Sequence, residues 1–256
     1  MGDGEYPESF MTFQVITVTN SIPKEQYYCW AEFFKSLDKF GVKPTILGMG
    51  EPWGGLMTKP RTLRKYLRDG KSKAGCLIVV DSWDLVFAKD PAQIAREWRD
   101  IGAPWMAGGE KNLFPSGDES AYPSGAFRFL NSGFIISTPE DMLAVLEDMN
   151  LDTIPDDHVD VNGNNVHPND QEEYQKAFLR QPIPMVIDTE AKFVANLCGV
   201  KRENVEYWSW ENPSTGIKAK TIRMTETCNE PYALHLNGPA KTDGLQEPIL
   251  HHLGLR

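Results

Sequence analysis

Several things are scarce in this sequence, and each shortage excludes something. Cysteine is rare and scattered: Cys29, Cys76, Cys198 and Cys228 stand far apart among 256 residues and form no C-x-x-C pair. A reducing compartment is therefore expected, although an even count leaves disulfides open. Positive charge is short, with 26 Lys plus Arg against 36 Asp plus Glu, a net charge of −10 and a pI near 5.0. Nonspecific binding to nucleic acid or to an anionic lipid surface is disfavoured by that balance. No apolar run approaches the length that spans a bilayer. The opening "MGDGEYPESF" has no basic stretch followed by an apolar one, so no leader, no membrane association and a cytoplasmic location are expected. Repeats and low-complexity linkers are also missing.

What remains is an ordinary globular composition, 41% hydrophobic and 24% charged, in a chain long enough for one large α/β domain. The expectation is a single domain over 1–256, with residues 1–11 as a flexible tail. "MTFQVITVTN" reads as a first strand. "KEQYYCWAEFFKSLDKFG" (24–41) sets Tyr27, Trp30, Phe33, Phe34 and Leu37 at helical spacing, with Gly41 to close the helix. "KPTILGMG" gives a short strand, "TLRKYLRDG" a basic helix, and "GCLIVVDS" an uninterrupted apolar strand of the kind buried on both faces of a parallel sheet. Cys76, inside that run, reads as a small buried hydrophobe. "DPAQIAREWRDIG" opens with Asp90 as N-cap and Pro91 behind it, and closes on Gly102. The alternation continues through "APWMAGG", "SGFIIS", "PEDMLAVLEDM" and, after a long polar loop (150–169), "DQEEYQKAFL". "VEYWSW", "GIKAKTIRM" and "PYALHLNG" read as shorter strands. An α/β fold with a mainly parallel central sheet follows.

In open parallel sheets ligands bind beyond the carboxyl ends of the strands. The run "IVVDSWDLVF" (78–87) puts Asp81 and Asp84 at such an end, with Trp83 between them. Two carboxylates beside a turn supply hard oxygen ligands to Mg²⁺ or Mn²⁺. The same D-x-x-D spacing also suits turn formation and capping, so both readings stand on this motif alone. Far downstream, "ALHLNGPAK" ends a strand with His235, turns through Asn237 and Gly238, and reaches Lys241. A histidine can complete a Mn²⁺ site, and a turn with exposed N–H groups plus a lysine can hold a diphosphate. An ordinary strand end followed by an N-G turn has the same sequence.

The ordered set "LGMGEPWGG", Lys59 leading a basic helix, "DSWDLVF", "FLNSGFIIS", "NDQEEYQKAF", "IDTEAKFVANL" and "HLNGPAK" resembles the glycosyltransferase domain of the procollagen lysyl hydroxylases and their stand-alone relatives. That resemblance covers nearly the whole chain. It implies a GT-A fold, a bound Mn²⁺ or Mg²⁺ and a UDP-sugar donor such as UDP-glucose or UDP-galactose. It places the metal on Asp81, Asp84 and His235, the uracil against Trp83, and the diphosphate against Asn237, Gly238 and Lys241, with Lys59 also reaching the donor. Asn131 and Ser132 offer polar groups near the expected sugar position. Asp170 falls in the family's acidic patch facing sugar and acceptor, though a plain helix N-cap explains it equally well. The chain departs from the pattern in two places, with "NDQE" where relatives carry consecutive acids and "GLMTKP" where they carry a glycine-rich stretch.

The expected activity is metal-dependent transfer of a hexose to a hydroxyl on a hydroxylysine-like side chain, a glycan or a hydroxymethylated DNA base. DNA would need a basic surface for its phosphates, and "KPRTLRKYLRDGKSK" (59–73) is the one strong candidate, which a solvated helix face explains as well. Two other classes stay open: a noncatalytic UDP-sugar or glycan-binding module, and a metal-dependent phosphohydrolase. The latter would share the acids but has no need of a uracil-stacking tryptophan.

Overall fold

The computed structural model describes residues 12–25, 28–211 and 218–256. The expected N-terminal tail (1–11) and Tyr27 of the expected first helix lie outside the described residues. The central sheet is built from β1 (Phe13–Val18), β2 (Thr45–Leu47), β3 (Cys76–Val80), β5 (Trp105–Glu110), β6 (Phe129–Ser137) and β9 (Met185–Asp188), in the order β2-β1-β3-β6-β5-β9. All run parallel except β6, which pairs antiparallel with both β3 and β5. The expected mainly parallel sheet is therefore present, with one reversed strand in its middle.

Period-2 burial explains the layers. Ile16, Val18 and Leu77 face one side, against α2 (Thr58–Arg68), α4 (Pro139–Asp148) and α5 (Asp170–Arg180). Val15, Cys76, Ile78 and Val80 face the other, against α1 (Trp30–Asp38) and α3 (Pro91–Ile101). That two-faced burial is why β3 is a continuous apolar run. A second small sheet, β10 (Val194–Asn196), β13 (Ala233–His235) and β4 (Leu85–Phe87), covers the end of the first. Beyond it lie the hairpin of β11 (Val205–Glu211) and β12 (Lys218–Met224) and the last helix, α6 (Gln246–His252).

Caps follow the sequence closely in α3: Asp90 accepts from Ala92 N, and Gly102 ends the helix at φ 72°. The first helix is shorter than its apolar pattern, starting at Trp30. Cys29 is its N-cap, and the Cys29 backbone N–H, without an acceptor inside the helix, donates to the carbonyl of Trp83 at 2.6 Å. In α5 the cap is Asn169, which accepts from Gln171 N at 2.9 Å. Asp170 is the first helical residue, so the N-cap explanation of Asp170 does not hold and its carboxylate is free for another partner. The long polar loop is not structureless. It carries a 3₁₀ turn (Leu151–Thr153) and a small hairpin of β7 (His158–Val159) and β8 (Asn165–Val166). No helix among the described residues is long and apolar enough to cross a membrane.

Gly108 lets the second sheet approach the first, and Gly109 lets neighbouring backbone close in beside it. A Cβ on Gly108 would lie 2.6 Å from Val194 Cγ1 and 2.8 Å from Asn196 Nδ2. One on Gly109 would lie 1.9 Å from the Phe127 carbonyl oxygen. Gly109→Ala should therefore destabilise the protein by at least about 2 kcal/mol, because backbone on both sides must move. Urea unfolding of the variant checks this, and a midpoint equal to wild type would contradict the packing.

Candidate active site

Asp81 leaves the carboxyl end of β3, and its N–H bonds back to the Gly133 carbonyl of β6 at 3.0 Å. Four residues later, at Leu85, the chain enters β4, which pairs with β13 so that Leu85 stands opposite His235. The Asp84 carbonyl accepts from Leu236 N at 2.7 Å. On the other side of β13, His235 stands opposite Asn196 of β10. Ligating atoms of Asp81, Asp84 and His235 lie within 4.8 Å of one another. Residues over 150 positions apart thus meet because β13 sits between β4 and β10.

The histidine is held in one orientation. Its Nδ1 is 2.6 Å from Asn196 Oδ1, while Asn196 Nδ2 donates to the Gly109 carbonyl at 2.7 Å. With the asparagine amide fixed by that carbonyl, its oxygen must face the ring, so Nδ1 carries the proton. That leaves Nε2, 3.1 Å from Asp84 Oδ1, as the atom turned to the acids. Gly133 makes room for the ring: a Cβ there would be 2.2 Å from His235 Cε1. Asn196 and Gly133 lie inside motifs visible in the sequence, but only the contacts reveal these roles.

Two lysines pair with the acids. Lys59, from the first turn of α2, reaches Asp81 Oδ1 at 3.0 Å and Asp170 Oδ2 at 2.9 Å. Lys241 reaches Asp84 Oδ2 at 2.7 Å and lies 4.9 Å above the Tyr28 ring. Burial would lower the Lys59 pKa, but Asp170 and Asp81 outweigh it and raise it. Burial pushes the Asp84 carboxyl up, yet His235 and Lys241 hold it well below the usual carboxylate range. Its contribution to stability is thus present above the ordinary carboxylate pKa and is lost as pH falls through the depressed value. For Asp170, burial wins: its carboxyl is raised despite Lys59, with Asp81 adding to the shift.

The cluster forms the wall between two hollows. One, about 490 Å³, is lined by Trp83, Trp53, Tyr28, Thr19 and Asn20. Trp83 is steadied by donating its indole N–H to Thr19 Oγ1 at 3.1 Å and by an edge contact with Tyr28. The other, about 560 Å³, is lined by Asn131, Ser132, Asp170, Glu110 and the turn at Asn237 and Gly238. Lys59, Asp81, Asp84 and Lys241 border both. Ser132 and Gly133 reach this wall because the β5–β6 register jumps from Ala107–Ile135 to Gly108–Asn131. In the second hollow the Asn237 side chain is already engaged, accepting from Cys198 N and donating to Glu110 Oε2, each at 3.0 Å. Gly238 turns the chain at φ 56°. Gln171, which drew no attention in the sequence, is the hub of this wall. It donates to Glu110 Oε1 at 2.7 Å and accepts from Asn131 Nδ2 at 3.1 Å. Glu110, whose pKa is raised chiefly by burial, is likewise a site residue that its place in "MAGGE" does not advertise.

The basic segment 59–73 is not an open positive face. Arg61 pairs with Asp156, Arg64 with Asp152 and Arg68 with Glu147, which ties α2 to α4 and the polar loop.

Two carboxylates and an imidazole around one point form a donor set suited to a divalent cation of the Mn²⁺ or Mg²⁺ type, Nε2 favouring the former. If so, Asn196→Leu should lower Mn²⁺ affinity about 10–100-fold by releasing the ring and its tautomer. Electron paramagnetic resonance of free Mn²⁺ reads this directly, and undiminished affinity would contradict the role given to Asn196.

Comparison with known proteins bears on the family and the fold. The family described as the PLOD GT domain matches residues 11–247. Procollagen-lysine,2-oxoglutarate 5-dioxygenase of Drosophila melanogaster is 26% identical over 230 residues, covering 84% of this chain and 29% of that protein. Procollagen-lysine,2-oxoglutarate 5-dioxygenase 1 of Bos taurus is 29% identical over 226 residues, 82% of this chain and 28% of its own length. The multifunctional procollagen lysine hydroxylase and glycosyltransferase of Caenorhabditis elegans is 26% identical over 227 residues, 81% and 28%. The chain thus spans under a third of the length of these relatives. Among solved structures, a glycosyltransferase involved in the glycosylation of the major capsid of PBCV-1 superposes with a TM-score of 0.51 at 13% identity, over 96% of this chain and 100% of that one. The expected GT-A-like fold is the fold observed.

Proposed function

Because the chain belongs to the PLOD GT domain family, we propose that it is a metal-dependent glycosyltransferase moving a hexose from a UDP-sugar to a hydroxyl acceptor. The observation that carries this reading is the meeting of Asp81, Asp84 and His235, with donor atoms within 4.8 Å, where the two acids border both hollows and His235 lines the second. One hollow suits a nucleotide and the other a sugar with its acceptor.

In this reading Asp81, Asp84 and His235 hold Mn²⁺ or Mg²⁺. The ion supplies neutralisation of the negative charge that grows on the departing UDP. Trp83, fixed by Thr19 and Tyr28, offers a flat surface to the uracil. Lys241 and Lys59 donate to the diphosphate, giving charge-assisted bonds that strengthen as the leaving group takes up charge. Gly238, with the backbone of Asn237, shapes the turn around it. Asn131, Ser132 and Asp170 line the sugar side, where the buried amide of Gln171 fixes Asn131 against Glu110. Donor choice falls between UDP-glucose and UDP-galactose. For the acceptor, a hydroxyl on a protein side chain or a glycan is the reading supported by the charges. A DNA acceptor would want free basic groups, and the arginines of α2 are paired with acids.

The test is incubation with Mn²⁺ and each of the two UDP-sugars, measuring free UDP, UMP and sugar 1-phosphate. UDP release that needs Mn²⁺ and is lost in both Asp81→Ala and Asp84→Ala supports transfer. UMP and sugar 1-phosphate in place of free UDP would point to a phosphohydrolase, and tight binding of UDP-sugar without turnover to a binding module. Trp83→Ala should weaken UDP binding by about 1–3 kcal/mol, and Trp83→Phe should restore most of the loss. Calorimetry showing equal UDP affinity in the alanine variant would remove Trp83 from the base site.

A further inference from the structure

Tyr28, Trp83 and Lys241 all line the hollow of about 490 Å³, and the Tyr28 ring meets both of the others. Its centroid lies 4.9 Å from that of Trp83, edge to face at an interplanar angle of 64°. The Lys241 ammonium lies 4.9 Å from the same Tyr28 centroid. Trp83 and Asp84 are neighbours in the chain, and Lys241 reaches Asp84 Oδ2 at 2.7 Å. Tyr28, Trp83, Asp84 and Lys241 thus close a ring of contacts. Tyr28 is the point in it where the surface offered to a base joins the lysine offered to a diphosphate.

The backbone fixes where Tyr28 stands. It directly precedes Cys29, the buried N-cap of α1. The Tyr28 N–H donates to the Glu25 carbonyl at 3.3 Å, and the Cys29 N–H donates to the Trp83 carbonyl at 2.6 Å. The start of α1 is therefore fastened to the same residue whose indole the Tyr28 ring supports. That indole is held at its other end by the bond from Nε1 to Thr19 Oγ1, 3.1 Å long. Lysine carries a flexible four-carbon stem, and ordering such a stem on binding is costly. An aromatic face attracts the ammonium through its quadrupole. Asp84 holds the same ammonium, but as an anion it competes with a phosphate for the charge. The Tyr28 ring supports the lysine without that competition.

We propose that Tyr28 is a positioning residue that couples the base and diphosphate ends of the hollow. It holds the Trp83 indole and the Lys241 ammonium together, so that uracil and diphosphate are bound as one unit. The proposal rests on the assignment of this hollow to UDP. Tyr28 acts through Trp83 and Lys241 rather than on the ligand.

Uridine and UDP are titrated into the full chain in Mg²⁺ and followed by NMR. Tyr28→Leu should weaken uridine about fivefold, through Trp83, and UDP about twentyfold, because Lys241 is released as well. Tyr28→Phe keeps the ring and should hold both affinities within about twofold of wild type. Tyr28→Met, a second variant without the ring, gives the same reading where Tyr28→Leu does not fold. Double-mutant cycles separate positioning from direct contact and from a general loss of structure. In a Trp83→Ala background Tyr28→Leu should no longer change uridine affinity. In a Lys241→Met background it should no longer change the ratio of UDP to uridine affinity. Wild-type affinities in Tyr28→Leu, or a loss that persists in full in either background, overturn the proposal. A wild-type chain that binds neither ligand fails earlier, on the assignment of the hollow to UDP, and removes the proposal with it.

Discussion

The placement of one three-residue strand governs the site. β13 lies between β4 and β10, and its last residue, His235, is thereby set beside Asp84 on one side and Asn196 on the other. A shift of register by one residue would turn the imidazole to the opposite face of the sheet. What prevents the shift is burial on both faces: Ala233 and Leu234 are fully covered, as are Val86, Val194 and Ala195 around them. Gly108 and Gly133 complete the constraint by leaving space for Val194, Asn196 and His235 that any side chain would fill. Packing that looks merely structural thus fixes where a cation can be held.

Charge follows from that placement. Asp81, Asp84 and Asp170 converge in a space they share with Lys59 and Lys241. Three carboxylates against two ammonium groups leave an excess of negative charge, which suits a divalent cation, and under the proposed function the two lysines would meet its diphosphate. The same groups can therefore stabilise the folded protein and meet the charges of a metal–nucleotide pair. Different environments set Asp84 and Asp170 apart. The first is held ionised by a histidine and a lysine, whereas burial raises the second, so the cluster is not a row of equivalent acids.

The helix α2 shows how composition misleads about surfaces. Read along the chain it is a run of arginines and lysines. In the fold its arginines meet Glu147, Asp152 and Asp156, so much of the positive charge fastens α2 to α4 and to the polar loop. Asp156 and Asp157 also sit against Gly54 and Gly55, where a side chain would collide with them. The loop bearing Trp53 is thereby joined to the polar loop on the far side of the site.

How much was legible in the sequence depended on whether the signal was local. The apolar run of β3, the Asp90 and Gly102 limits of α3 and the acids at 81 and 84 could be read directly, because helix caps, strand burial and turns are fixed by residues a few positions apart. The ordered motifs went further, naming His235, Lys241 and Lys59. Other matters needed the tertiary structure. The reversal of β6 and the N-cap at Asn169 rather than Asp170 each turn on a hydrogen bond or strand pairing that competes with the local pattern. Asn196, Gln171 and Glu110 carry no distinctive spacing; their roles come from amide and carboxylate groups brought together across 39 to 127 positions. The sequence by itself determined the elements and the residue types that could bind a cation. Only the fold decided which of them share one point, because that depends on strand register and on glycines whose missing side chains matter solely where another strand arrives.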